Sequence, residues 1–184
     1  MPLQSSPDIV IIGSGIGGAT VAHGLANSGA LILVLERGER ILEHPDTRDE
    51  RAVFQRDVFK PKDALRDETG SVFTPNNHAC VGGNSKFYGA VMLRLREQDF
   101  LAREQPGGAS VAWPFTYADL EPWYCAAEQL FRIRGQIGED PTEPSHSRPY
   151  AYDPVPDEPA IAMLRERLLA QGLNPFSLPF GDRH

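Results

Sequence analysis

Gly13, Gly15 and Gly18 follow the apolar run Ile9-Val10-Ile11-Ile12 in the pattern G-x-G-x-x-G, and Glu36 stands 18 residues after Gly18. Between a strand and a helix, that spacing suits a dinucleotide. Gly13 permits the tight turn, Gly15 lets the backbone approach a pyrophosphate with no Cβ in the way, and Gly18 lets the helix pack close to the sheet. Ser14, Ile16 and Gly17 complete a loop at a helix N-terminus, whose free amides and partial positive charge face phosphate. Glu36, with Arg37 beside it, ends a second apolar run where a carboxylate can accept from a ribose hydroxyl. The same carboxylate repels a 2′-phosphate, which disfavours an NADP-type ligand. The competing reading is a ligand-free turn with a merely solvated Glu36. Strand, glycines, helix, second strand and acid in register argue against it. These features select a dinucleotide and leave NAD and FAD both open.

A second cluster, Val81-Gly82-Gly83-Asn84-Ser85, continues through Tyr88. Asn84, Ser85 and Tyr88 can hydrogen-bond a phosphate or a cofactor ring; ordinary loop polarity is the plainer reading, which the adjoining Gly82-Gly83 disfavours. The five histidines have no spacing suited to a metal or a Ser-His-Asp relay, so neither metal ligands nor catalytic residues are assigned. His78 alone lies near the second cluster. Cys80 and Cys125 read as two reduced thiols, not a disulfide framework. Trp113, Trp123, Tyr124 and Phe131 read as core, and Arg94 and Arg96 as a solvated face.

The elements that must position these residues follow from periodicity. Ile9–Ile12 and Leu31–Leu35 are continuous apolar runs, the pattern of strands buried on both faces of a parallel sheet. Ile16, Ala19, Ala22 or His23, and Ala26 fall near one helical face that stops at Asn27-Ser28-Gly29. Residues 39–68 are charged and allow at most a short helix. Val91 to Arg96 alternates apolar and basic residues, which predicts a half-buried extended segment, with helix acceptable. Thr116 and Asp119 form a capping box ahead of a helix through Gln129 that Pro122 is expected to break. Prolines at 141, 144, 149, 154, 156 and 159 predict an extended surface connector, and a last helix carries Ile161, Leu164, Leu168 and Leu169 to Gly172. The expected organisation is an arm at 1–7, a partial dinucleotide-binding domain at 8–138, a connector at 139–159, and a helix with the start of a further segment at 160–184. The fold class is α/β, the N-terminal part of a Rossmann-like domain, apparently truncated. Two strands alone would leave apolar faces and edges bare.

Composition narrows the partners. Of 184 residues, 41% are apolar and 23% charged, ordinary for a folded soluble protein. A formal charge of -7 argues against duplex binding, which needs cationic patches. No apolar run reaches the roughly 18–20 residues of a membrane span, and no leader is evident, so a cytoplasmic location is expected.

Residues 8–38, DIVIIGSGIGGATVAHGLANSGALILVLERG, resemble the N-terminal FAD-binding stretch of the glucose–methanol–choline oxidoreductase family. VGGNSKFYGA at 81–90 resembles that family's second flavin motif, and WPFTYADLEPWY at 113–124 a stretch common in its bacterial members. The resemblance implies FAD held by the first glycines and the acid, with the second motif beside pyrophosphate and isoalloxazine. It also implies hydride transfer from a CH–OH group of an alcohol or sugar to flavin. Phe87 occupies the place where some members carry a flavin-linked histidine, which implies non-covalent FAD. Tyr88-Gly89 replaces the frequent Asn-Gly. The family's catalytic histidine lies near the C-terminus of a much longer chain, so the missing C-terminal part would be needed for turnover. An NAD-dependent dehydrogenase fragment and an inactive truncated product are the other readings.

Overall fold

The computed structural model describes residues 6–42, 44–61, 63–75 and 77–181, arranged as two compact units, Met1–Tyr88 and Gly89–His184. Residues 1–5 of the expected arm and His184 lie outside the described residues.

In the first unit, β1 (Ile9–Ile12) leads into α1 (Ile16–Gly24) and then β2 (Ile32–Leu35), with β1 and β2 parallel in the register Ile9↔Ile32 to Ile12↔Leu35. Two parallel strands joined through a helix form the first crossover of a Rossmann-like sheet. Asp8 fastens the entry, its Oδ2 accepting from Leu31 N at 2.8 Å. Gly29 turns the chain with a positive φ of 78°, as the Asn-Ser-Gly stop signal predicts. Of the four β1 residues only Ile11 is buried, and Ile12 is 87% exposed. The continuous apolar runs expected to be covered on both faces are therefore largely bare here, because this sheet has two strands. A short hairpin, β3 (Leu65–Arg66) with β4 (Val72–Phe73), and helical turns at Pro45–Thr47, Arg51–Gln55 and Gly83–Lys86 complete the unit. Ala52, Val53 and Cys80 are its other buried apolar residues.

The second unit holds the hairpin β5 (Arg103–Gln105) and β6 (Gly108–Ser110), the helix α2 (Tyr117–Leu130), strand β7 (Ile133–Arg134), the helix α3 (Pro159–Ala170) and strand β8 (Phe180–Gly181) antiparallel to β7. Pro106 and Gly107 make the hairpin turn, Gly107 taking a φ of 98°. Proline presets φ and glycine accepts a positive φ, so this pair is a turn signal in the sequence. The capping box forms as predicted, Thr116 N and Oγ1 both donating to Asp119 Oδ2 at 2.8 Å.

Three expectations are corrected in this unit. Pro122 does not break α2, which runs unbroken for 14 residues. A proline removes one helical donor, and α2 is held by much more than that bond. The alternation at 91–96 is inverted. Arg94 is 3% exposed whereas Val91, Leu93 and Leu95 face outward, so Arg94 is no solvated face. Its Nε and Nη2 each donate to a Glu128 oxygen at 2.7 Å, and its Nη1 to Tyr117 Oη at 2.7 Å. Burial opposes its charge, but the Glu128 carboxylate and the Tyr117 oxygen more than offset that and hold the guanidinium above its usual pKa. Arg96 is also engaged, on Asp140 at 2.5 Å. Finally, Trp113 and Trp123 are exposed; the buried aromatics are Phe100, Tyr117 and Tyr150.

Residues 135–158 form no helix or strand. They are nevertheless stitched to α2, with Tyr117 Oη donating to Ser145 O at 2.6 Å and Ser147 N to Glu121 Oε1 at 2.8 Å. The Ser147 amide first, then the Cys125 thiol and the Ser147 hydroxyl, hold the Glu121 carboxyl down at about 2.

Candidate functional site

The site candidates of the first unit meet where three loops converge, after β1, after β2 and at 80–86. Gly13 N donates to Leu35 O at 2.7 Å, joining the end of β1 to the end of β2. Gly13 has a φ of 92°, which frees the chain to turn immediately into α1. Gly15 caps α1 and its carbonyl accepts from Ala19 N at 2.9 Å. A Cβ on Gly18 would lie 2.0 Å from Gly13 O and 3.2 Å from Ile11 Cγ2, so this position requires glycine for helix to meet strand.

Gly82, with a φ of 94°, and Gly83, with a φ of 55°, place the second glycine loop directly against the first. Positions where a Cβ would stand show how close they are. On Gly15 it would be 3.8 Å from Gly82 O, and on Gly83 it would be 3.7 Å from the Gly15 Cα. The two motifs, remote in sequence, thus form one half-buried main-chain surface.

Glu36 lies at this junction. Its Oε2 accepts from Ser14 N at 3.0 Å and Ser14 Oγ at 2.6 Å, and its Oε1 from Gly38 N at 2.8 Å. The Ser14 hydroxyl first, then the Gly38 and Ser14 amides, hold its carboxyl down at about 2, so it is charged throughout the neutral range. Ser14 Oγ accepts in turn from Gly82 N at 3.0 Å. Arg37 points elsewhere, its Nη1 pairing with Asp63 at 2.8 Å. Ser85 Oγ donates to Gly82 O at 2.5 Å. Asn84 Oδ1 accepts from His78 N at 2.6 Å. Tyr88 is exposed. Ile16, Gly17 and Val81 flank these contacts.

Gly38 was not anticipated. A Cβ there would fall 2.2 Å from Ala79 C and 2.3 Å from Cys80 N. This close approach lets Glu39 bridge Cys80 and Val81 N donate to Glu39 O at 3.1 Å, bringing the second loop up to Glu36. A glycine two residues past a strand-terminal acid was the only available signal. Lys86 was also missed; its stem overlies Gly82, 3.2 Å from where a Cβ would be.

His78 packs at a tilt against Phe87, 4.5 Å between ring centres, and Phe87 stacks in turn at 5.1 Å on Phe59. Among the described residues, His78 Nε2 and Asn77 Oδ1, like both ring nitrogens of His146 in the second unit, are buried and lack a hydrogen-bond partner. Buried polar atoms without partners are uncommon. Two such atoms beside a cradle of bare glycine main chain fit a polar ligand carrying phosphate and ring atoms, as a flavin dinucleotide does. Among the described residues no His/Cys/Asp/Glu cluster could hold a metal ion, and no helix is long and apolar enough to cross a membrane.

Residues 11–49 match the family described as NAD(P)-binding Rossmann-like domain. The chain is 30% identical to 6'''-hydroxyparomomycin C oxidase of Streptomyces lividus over 177 residues, covering 94% of this chain and 31% of that protein. It is 33% identical to paromamine 6'-oxidase of Streptomyces fradiae over 185 residues, covering 96% of this chain and again 31% of the relative. Among solved structures, pyridoxine 4-oxidase from Mesorbium loti shares the fold at a TM-score of 0.54 and 20% identity, over 97% of this chain and 37% of that one. This chain therefore spans about a third of the length of the relatives it matches. Its homologues are FAD-dependent oxidoreductases of the glucose–methanol–choline type, and with them it shares a Rossmann-like dinucleotide-binding fold.

Proposed function

We propose that this chain is the FAD-binding portion of an oxidoreductase acting on the CH–OH group of an alcohol or sugar. The observation that carries the reading is the joining of two glycine loops into one main-chain surface at Gly15, Gly82 and Gly83, with Glu36 beside it. Residues 13–18 would hold the diphosphate through their amides, Glu36 would accept from the adenosine ribose, and Arg37 would flank it. Val81, Gly82, Gly83, Asn84, Ser85 and Tyr88 would line the other side. When bound, FAD supplies the hydride acceptor for oxidation of the donor carbon. The chain's own part is to bind and orient; no catalytic base is assigned to these residues. The base would come from sequence beyond the 31% of its relatives that this chain spans, which would also pack on the bare faces of β1 and β2. Cys80 and Cys125, both free, support a reducing, cytoplasmic setting.

The reading is tested at Gly15. A Cβ there meets only Gly82 O, at 3.8 Å, but an indole would fill the cradle. Gly15→Trp in the full protein is expected to abolish the flavin absorbance that copurifies with the parent. Unchanged flavin content would reject the assignment. A nicotinamide ligand is the second reading, favoured by the matched family's description. A colourless parent protein that binds NAD would establish it.

Attachment is expected to be non-covalent, since the phenyl ring of Phe87 cannot form a bond to flavin. Acid precipitation should release all the flavin into the supernatant. A yellow pellet would contradict this and point to His78.

A further inference from the structure

We propose that Ser14 is a positioning residue that fastens the second glycine loop to the first, with Glu36 as its anchor; this rests on the dinucleotide-binding reading and deepens it. The hydrogen-bond directions are determined by chemistry. Ionised Glu36 can only accept, so the single hydroxyl proton of Ser14 goes to Oε2 at 2.6 Å. The lone pairs of Oγ are then left to accept from Gly82 N, at 3.0 Å and 68 residues away in sequence. Ser14 N, also donating to Oε2 at 3.0 Å, keeps the serine from turning away.

The tie matters because the second loop has little preference of its own. Gly82 and Gly83 both adopt positive φ, at 94° and 55°, and glycine has the most permissive backbone of any residue. Ser85 Oγ bonds Gly82 O within the same loop and so places nothing relative to α1. Ser14 does, because it belongs to the first loop and holds an amide of the second. For both loops to address one diphosphate, their separation must be set, and the charge-assisted Glu36–Ser14–Gly82 chain sets it. Ser14 thus acts on the cofactor through Gly82, beyond whatever its own amide contributes.

The test uses the full protein, stripped of flavin and then titrated with FAD. Hydrogen exchange on peptides spanning Gly82 reads the tie before any ligand is added. Ser14→Ala is expected to speed exchange there about tenfold, and to weaken FAD binding, followed by flavin fluorescence, by roughly tenfold. Ser14→Thr keeps the hydroxyl and is expected to restore both. Exchange at Gly82 unchanged in Ser14→Ala would overturn the proposal even with FAD bound normally. So would faster exchange with unaltered FAD affinity, or failure of threonine to rescue. A parent protein that binds no FAD would reject the dinucleotide reading itself, and the proposed role with it, whatever the exchange shows.

Discussion

Gly38→Ala is expected to destabilise the first unit by about 3 kcal/mol, the upper end of the usual range for overpacking. The added methyl would lie 2.2 Å from Ala79 C and 2.3 Å from both Ala79 O and Cys80 N. These are backbone atoms and cannot swing aside as a flexible side chain would. Relief requires the segment at 79–81 to move away from 37–39, breaking the Glu39–Cys80 bridge and the Val81 N bond to Glu39 O. Cys80, 1% exposed, would be uncovered, and the second glycine loop would leave Glu36. The same substitution should therefore also cost most of the FAD affinity. Gly24→Ala is the control, since a Cβ there meets nothing within 4 Å. Urea unfolding followed by circular dichroism checks the pair. Equal midpoints for the two variants would show that the close approach at Gly38 contributes nothing.

In the second unit, Arg94→Met is expected to cost about 3–5 kcal/mol, the usual penalty for leaving a buried charge without its partner. The abandoned partner is Glu128, whose side chain is 6% exposed and whose two oxygens each lose a bond of 2.7 Å. Removing the stranded charge as well should recover most of that loss, so Arg94→Met with Glu128→Met is expected to lie near the parent. A double-mutant cycle in urea reads the difference. Glu121 complicates this little. Its oxygens keep the Ser147 amide at 2.8 Å and hydroxyl at 2.9 Å after the guanidinium is gone. A single variant with an unchanged midpoint would show that the pair is not important to stability.

Gly38 and Arg94 both owe their roles to residues far away in sequence. The strand–loop–helix–strand order, the turn at Gly29 and the capping box at Thr116 were legible because each depends on residues close in sequence. Periodicity, positive-φ glycines and side-chain caps act over a single turn or strand. The role of Gly18 was legible for the same reason, since its contact with Gly13 O lies within one motif. Gly38 was not, because what it must approach, Ala79 and Cys80, lies some forty residues on. Arg94 was misread because an isolated arginine in an alternating segment is ordinarily solvated. Only the carboxylates of α2, 27 and 34 residues later, make its burial affordable. α2 runs unbroken through Pro122, and contacts distant in sequence, such as Tyr117 Oη to Ser145 O and Ser147 N to Glu121, tie it to residues 145–147. The sequence by itself determined that a glycine turn joins β1 to α1 and which residues form it, since that turn's geometry is local backbone chemistry. Only the tertiary structure decided that the second glycine loop touches the first, and that Ser14 and Glu36 hold the two together, because hydrogen bonds between distant segments leave no periodic trace in either one.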